Sequence, residues 1–247
     1  MTQVKLGDKN IPFIYQGNEL LYPNPVKDGL VLWYDFKGMK NSDITKGVSK
    51  DLSGNGNNGT LNNFAYTDSS GYNNGLNLDG IDDDIEVKNN SLVSNLTESI
   101  TINLLFEYKE NVGKFRWIVS NNSDASATTG FAVVYNPSSV NPLSFRWGGE
   151  VIYYSLELEK NKDYLFTFTS NKESGKTLLY LDGKLIKEND FTGTPQKSYK
   201  NLFFGKSAYY DSEVLNSIIK SIQIYNRALS DQEIKHNYNL EKERWNL

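Results

Sequence analysis

The chain has 247 residues, 26 Lys+Arg against 30 Asp+Glu, one histidine, no cysteine, and an aromatic set of 16 tyrosines, 12 phenylalanines and four tryptophans. Without cysteine there is no disulfide framework, zinc ribbon, iron–sulfur site or thiol nucleophile, and one histidine leaves no multi-histidine metal site and no triad unless His236 is its base. A net charge of −4 with no basic block gives no footprint for nucleic acid, while the length suffices for one large all-β domain or two average ones.

The amino terminus, Met1 to Asp8, is polar and turn-forming. It lacks the apolar core of a signal peptide, and no later stretch approaches the roughly 20 apolar residues of a membrane span. The reading therefore expects no membrane partner and, for any role outside a cell, release by lysis, assembly or a non-classical route. Residues 1–25 form their own unit. Val4 to Ile11 is echoed by Ile14 to Leu21, each a short β-type run broken by Gly7-Asp8 or Gly17-Asn18. Gly with Asn or Asp accepts positive φ, so each copy predicts a tight hairpin. Hairpins this small are not stable alone, so they are expected to dock on the main domain, a symmetry mate or an assembly. Pro23 and Pro25 mark the boundary, leaving residues 26–247 as the main domain.

From Gly29 onward short strands repeat: Leu30 to Phe36, Gly75 to Asp79, Ile100 to Leu104, Phe115 to Val119, Phe131 to Tyr135, Leu143 to Trp147, Val151 to Leu158 and Tyr164 to Thr169. Leu178 to Ile186 predicts two strands around an Asp182-Gly183 type I′ turn, and Leu202 to Gly205 and Ile218 to Tyr225 complete the series. No helix-length pattern separates these runs, which argues for a two-sheet sandwich or barrel rather than a parallel α/β sheet. A helix follows at the end. Ser230 to Glu233 is a capping box, Ile234 and Tyr238 form an apolar stripe, and His236 falls off that stripe as a solvated residue.

Five stretches occur in order: Gly29 to Phe36, Asp51 to Thr60, Gly75 to Asp83, Leu179 to Lys184, and Ile222 to Ser230. Together they resemble the laminin-G-like domains of the concanavalin A-like lectin/glucanase superfamily, over residues 29–240. The resemblance implies an all-β jelly-roll sandwich of two antiparallel sheets with a short C-terminal helix. The doubled N-terminal hairpins are similar to short modules of bacteriophage tail and other virion proteins. That likeness implies a virion protein, assembled in the host cytoplasm and released by lysis, that meets other virion proteins and forms a homo-oligomer, with a trimer expected. The motifs also read as plain structure: Asp51 to Thr60 as a loop folded through glycine turns, Asp79-Gly80 as a turn, and Arg227 as a carboxylate partner at the start of the helix.

Three kinds of site follow. Hard cations want several oxygen ligands, and related domains carry calcium near such loops, so Asp51, Asn57, Asp82 and Asp83 are the expected ligands of a structural calcium. Asn55, Asp79 and Asp84 offer further oxygens, while Asp84 and Lys220-Ser221 replace residues usual in the family. Sugars are held by aromatic faces with amides and carboxylates reading the hydroxyls. Tyr209 and Tyr210 in a polar loop, with Asp211, Asn121, Asn122 and Trp147, are the expected contacts for a host cell-surface glycan. Tyr153 and Tyr154, adjacent on a strand, face opposite ways, and Arg146 to Glu150 forms a turn nearby. A glycoside hydrolase needs a carboxylate pair. The glucanase pattern of alternating acids is absent, and Glu157-Leu158-Glu159 and Asp82 to Glu86 read as solvated faces. The expectation is a non-enzymatic glycan-binding virion protein, with a purely structural or decoration role as the alternative.

Overall fold

Alternating apolar and polar side chains project to opposite faces of a strand, so each short run read above can give one face to a core. The computed structural model describes residues 5–6, 9–10, 14–16, 19–22, 24–109, 115–125, 127–210 and 213–247. Two small hairpins come first. In one, β1 (Lys5–Leu6) pairs with β2 (Lys9–Asn10), and in the other β3 (Ile14–Gln16) pairs with β4 (Glu19–Tyr22). Gly7-Asp8 and Gly17-Asn18, the expected turn residues, lie outside the described residues.

The main domain opens with β5 (Leu30–Asp35), β6 (Val48–Ser49), β7 (Gly59–Asn62), β8 (Gly71–Tyr72), β9 (Leu76–Asp79) and β10 (Asp84–Val87). A short helix, α1 (Ser91–Ser94), precedes β11 (Ser99–Tyr108), β12 (Arg116–Ser120), β13 (Phe131–Tyr135), β14 (Leu143–Trp147) and β15 (Glu150–Tyr154). The last strands are β16 (Lys162–Asn171), β17 (Lys176–Leu181), β18 (Lys184–Asp190), β19 (Leu202–Phe204) and β20 (Asn216–Tyr225), followed by α2 (Asp231–Trp245). Two antiparallel sheets result. One has the order β15-β14-β13-β12-β19-β10-β7-β6, and the other β18-β17-β16-β11-β20-β9-β8 with β5 also on β20. The fold is a jelly-roll sandwich, as the strand pattern and the resemblance both imply. Among the described residues no helix is long and apolar enough to cross a membrane.

The core forms where the two inner faces meet. Ile100, Ile102, Leu104 and Phe106 of β11 and Tyr164, Phe166 and Phe168 of β16 meet Phe131, Val133, Phe145 and Phe204 of the opposite sheet. A bulge tunes β20: Leu105 pairs with Ser221 and Phe106 with Ile219, so Lys220 has no partner of its own. The extra residue lets Ile219, Ile222 and Ile224 all face the core, whereas strict alternation would turn Ile219 away from the other two. At the Asp182-Gly183 turn both residues have positive φ, +49° and +71°, as a type I′ hairpin demands. The strand expected over 151–158 stops at Tyr154, which is opposite Leu143, the first residue of its partner. Beyond it Leu158 tucks inward and its N–H donates to the Tyr135 hydroxyl at 3.2 Å.

Helix α2 covers the outer face of the β11/β20 sheet. Ser230 and Glu233 form the capping box, and Glu233 also takes two hydrogen bonds from Arg227, of 3.0 and 2.6 Å. That guanidinium holds the Glu233 carboxyl down at about 2. Ile234 and Leu240 pack on Trp33 and Tyr225, while Trp245 packs on Leu105 and Leu165. His236 is not the solvated residue expected: it is half-buried, and its Nε2 lies 3.0 Å from the Asn24 carbonyl. The chain ahead of β5 lies along α2, with the Val26 N–H on Asn237 Oδ1 at 3.0 Å, and this takes up the helix face left off the apolar stripe.

Beneath the helix the interface is polar. Asp35 and Arg244 form an ion pair with both side chains almost wholly buried. Burial pushes the Asp35 carboxyl up, and Arg244 opposes the shift. Glu241 accepts from Ser221 Oγ at 2.8 Å and Gln223 Nε2 at 3.1 Å, and burial raises its pKa to about 7. Removing one member of a buried pair strands the other. Arg244→Ala is therefore expected to destabilise the domain by roughly 3–5 kcal/mol in urea unfolding, and the double variant Asp35→Leu/Arg244→Met to recover most of it. A loss below about 1 kcal/mol for the single variant would mean the pair contributes no more than an exposed one.

Candidate functional site

Among the described residues no helix covers the outer face of the other sheet. On β12 to β15 the side chains opposite the core fall into two cross-strand rows. Trp117, Val134, Ser144 and Tyr153 are paired in one, and Ala132, Arg146 and Val151 in the next. Trp117, Ala132 and Val134 form a small apolar cluster separate from the main core. Here too a bulge sets the phase: the register shifts between Trp117 and Val119, so Ile118 and Val119 both face inward and Trp117 faces out.

The loop after β19 closes one side. The Ser207 hydroxyl accepts from the N–H groups of Tyr209 at 3.0 Å and Tyr210 at 2.9 Å, a side-chain turn that fixes both tyrosines. The Ser120 hydroxyl on β12 accepts from the Ala208 N–H at 2.7 Å, tying the loop to the sheet. Tyr210 then lies 6.0 Å from the Trp117 ring, with Tyr209 edge-on to Tyr210 at 4.5 Å. Phe115, Trp117, Tyr153, Tyr210, Arg146 and Glu213 converge on an open cleft of about 410 Å³. The Arg146 guanidinium lies 5.0 Å from the Trp117 ring centre, and Glu213 accepts from Trp117 Nε1. Burial pushes the Arg146 pKa down, while Tyr153, Glu213 and Tyr210 oppose this. Chemically the cleft offers aromatic faces beside a five-donor cation and a carboxylate acceptor.

Of the six residues expected to touch a ligand, Tyr210 lines this cleft and Tyr209 backs it. Asp211 lies outside the described residues. Trp147 is a correction: it is 1 % exposed, stacked on Phe191 at 4.8 Å, with its Nε1 donating to the Leu96 carbonyl. It stands one residue from Arg146, and on a strand one residue is the opposite face. Asn121 and Asn122 are also interior. Asn121 donates to Val93 O and accepts from the Phe131 N–H, while Asn122 donates to Asp124 O, so both brace the 121–130 loop. Tyr153 and Tyr154 divide as expected, 54 % and 3 % exposed. Trp117 and Glu213 are additions. Trp117 reads as core from sequence, and Glu213 enters through a loop whose path the sequence does not specify.

The expected calcium ligands separate. The Asp51 carboxylate accepts from the N–H groups of Trp33, Ser53 and Asn57 and from the Ser53 hydroxyl. Asn57 donates to Val31 O and accepts from Asn90. These oxygens staple the loop and leave little for a metal, which corrects the expectation for Asp51 and Asn57. Asp82 and Asp83 instead join Asp79, with one carboxylate oxygen of each within 4.8 Å of the others. Asp83 accepts from Ser70 Oγ at 3.1 Å and the Asp79 N–H at 3.0 Å, and burial is the main cause raising its pKa to about 6. Crowded carboxylates of this kind, with Asp83 buried, Asp79 half-buried and Asp82 exposed, fit a hard cation. Lys220 does not oppose one there, because it is buried against Asp163 at 2.5 Å. A larger cleft of about 720 Å³ lies beside β5, lined by Phe36, Met39, Ile44 and Tyr72. Its carboxylates are already engaged, Asp35 with Arg244 and Asp43 with the Lys40 N–H, so it offers less to a polar ligand.

The family model described as the concanavalin A-like lectin/glucanases superfamily, of the laminin G type, matches residues 79–235. This chain belongs to that superfamily. No curated protein matches its sequence. Among solved structures, the sialidase of Trypanosoma rangeli is similar over 95% of this chain and 36% of its own, with a TM-score of 0.64 and 14% identity. The receptor-binding domain of botulinum neurotoxin D is similar over 86% of this chain and 53% of its own, with a TM-score of 0.60 and 17% identity. That of the C/D mosaic serotype gives 87%, 52%, 0.59 and 17%. The chain thus spans about half the length of the toxin domains and about a third of the sialidase. At these identities the likeness is one of fold, and superfamily membership leaves the ligand to be argued from the cleft.

We propose that the Asp79–Asp82–Asp83 cluster seats a structural calcium, and its protonation gives the test. Asp83 holds its proton up to about pH 6 in the fold but only to 3.8 as a free side chain. Its contribution to stability is full below about pH 4 and is lost as pH rises through 6. In metal-free melts the wild type should therefore lose about 1–2 kcal/mol over that range relative to Asp83→Asn, allowing for solvent screening. Calcium should restore the loss at pH 7.5 but do nothing at pH 4, and should not act on Asp83→Asn. A melting temperature at pH 7.5 indifferent to both calcium and chelator would dispose of the site.

Proposed function

We propose that the protein is a non-enzymatic carbohydrate-binding domain whose ligand lies in the cleft over β12 to β15. The observation that carries this reading is the convergence of Trp117, Tyr153 and Tyr210 with Arg146 and Glu213 on one open surface. Tyr153 and Tyr210 keep 54 % and 41 % of their surface exposed. Exposed aromatic faces beside fixed polar groups are what a pyranose ring requires, apolar C–H faces against the rings and hydroxyls against the charges. Glu213 is the one carboxylate lining the cleft among the described residues, whereas glycoside hydrolysis by the usual route uses two. This favours binding over catalysis.

The fuller reading places the protein on a bacteriophage particle, contacting host cell-surface glycan. It rests on the two hairpins ahead of the domain, which in this proposal attach it to other virion proteins or to further copies of itself as a trimer. Single sites of this size bind weakly, and an oligomer would gain by multivalency. If residues 2–25 serve this end, their removal leaves a folded domain that sediments as a monomer. An oligomer surviving the deletion would remove them from that role.

The glycan reading is tested on an array of immobilised saccharides, with the chain presented multivalently. Tyr209→Ala/Tyr210→Ala is expected to weaken binding about tenfold or more, since each exposed ring contributes roughly 0.5–1.5 kcal/mol beyond its buried area, with the fold checked by circular dichroism. Unchanged binding by the folded double variant would show that the cleft is not the site. If the wild type bound no saccharide, the structural or decoration role would stand in its place.

A further inference from the structure

Arg146 is held in a way that the other buried cations of this chain are not. It projects from β14 into the cleft, yet the residue is 7 % exposed. Its Nη1 donates to the Ala125 carbonyl at 2.7 Å, while its Nε is buried and has no hydrogen-bond partner. No carboxylate among the described residues lies within ion-pair distance of it. By contrast Arg244 is paired with Asp35 and Lys220 with Asp163, both at interfaces closed by α2. A desolvated guanidinium with no ion-paired carboxylate among the described residues, and among carboxylates only the Coulombic influence of Glu213 to offset its burial, is costly, and an arriving anion would lower that cost.

The geometry points to Arg146 as the anchor for a sugar carboxylate, so that the cleft selects an acidic saccharide over a neutral one. This deepens the glycan reading above and rests on it. The planar guanidinium matches the two oxygens of a carboxylate, and the Trp117 and Phe115 rings, 5.0 and 5.5 Å from it, hold that plane in place. With the carboxylate on Arg146, the sugar ring lies toward Tyr153 and Tyr210. Glu213 lines the same cleft, where its carboxylate accepts from Trp117 Nε1. Its charge cancels much of the long-range attraction of Arg146, so recognition depends on direct contact. It also favours a monoanion over a dianion such as a phosphate monoester. The carboxylate could come from a hexuronic acid or from a nonulosonic acid such as sialic acid, which share this chemistry.

The test uses the full chain, presented multivalently, on six immobilised probes: a glucuronoside, an N-acetylneuraminic acid glycoside, the methyl esters of both, and neutral glucose and galactose glycosides. The wild type should bind one or both acids about tenfold or more tightly than the matching methyl ester, and in Arg146→Gln that acid-to-ester ratio should fall to about one, whatever the variant's overall affinity. Which acid is preferred separates the two sources. Equal binding of acid and ester by the wild type, a comparison that needs no variant to fold, would overturn the carboxylate anchor and leave the glycan reading intact. A folded Arg146→Gln that still prefers the acid would overturn it as well, as would preference for sulfated probes added in competition. Binding to none of the probes, neutral ones included, would bring down the underlying reading and this inference together.

Discussion

A β-sheet has two faces, and closing a sandwich uses only one face of each sheet. Every strand in this domain therefore presents a second row of side chains that must be covered or left to water. On the β11/β20 sheet the second row is Trp33, Leu105, Leu165 and Tyr225, and α2 covers it. On the β12–β15 side no helix is present, and the second row is instead Trp117, Ala132, Val134, Arg146 and Tyr153. The placement of one C-terminal helix thus decides which sheet can present a binding surface.

The two outer faces also differ in how they treat charge. Under α2 several polar groups are paired, Asp35 with Arg244, Glu241 with Ser221 and Gln223, Asn103 with Gln223 and Thr167, while Trp33 Nε1 and Glu241 Oε2 are buried without a hydrogen-bond partner. A helix docking on a purely apolar face could slide or rotate at little cost, whereas these directional pairs form in one position. Over β12 to β15 Arg146 packs among aromatic rings, and no carboxylate of the described residues is in ion-pair contact with it, although Glu213 lines the same cleft. The helix-covered face and the open cleft thus lie on opposite sides of one sandwich.

Much of the fold was legible in the sequence. The strands from Leu30 to Tyr225, the Asp182-Gly183 turn, the capping box at Ser230 and the role of Arg227 all depend on local chemistry, which period-two alternation and turn propensity report directly. The site was legible only in part, because it depends on which face of a strand looks outward. That parity is set by bulges at Ile118 and Lys220 and by what covers each face, neither of which leaves a local trace. Trp147 and Arg146 are neighbours in sequence, and the choice between them turns on a single step of alternation. Asn121 and Asn122 looked available for the same reason that they are buried: a polar loop folding over itself uses amides to satisfy its own backbone. The metal expectation failed for Asp51 and Asn57 on this ground too, since N–H donors saturate the Asp51 oxygens, while Asp79, Asp82 and Asp83 are drawn together by their turn.

That turn and the tyrosine loop are mechanically joined. Asp79 ends β9 and Asp84 begins β10, so the acidic turn carries the chain from one sheet to the other. Gly205 lies against it with φ near +93°, and a Cβ there would stand 2.2 Å from Leu78 and 3.1 Å from the Asp83 carbonyl. Only glycine allows that approach. From Gly205 the chain leads directly through Lys206, whose ammonium pairs with Asp84 at 2.8 Å, to the Ser207 turn that sets Tyr209 and Tyr210. The acidic turn and the aromatic wall are therefore joined by one short stretch of backbone.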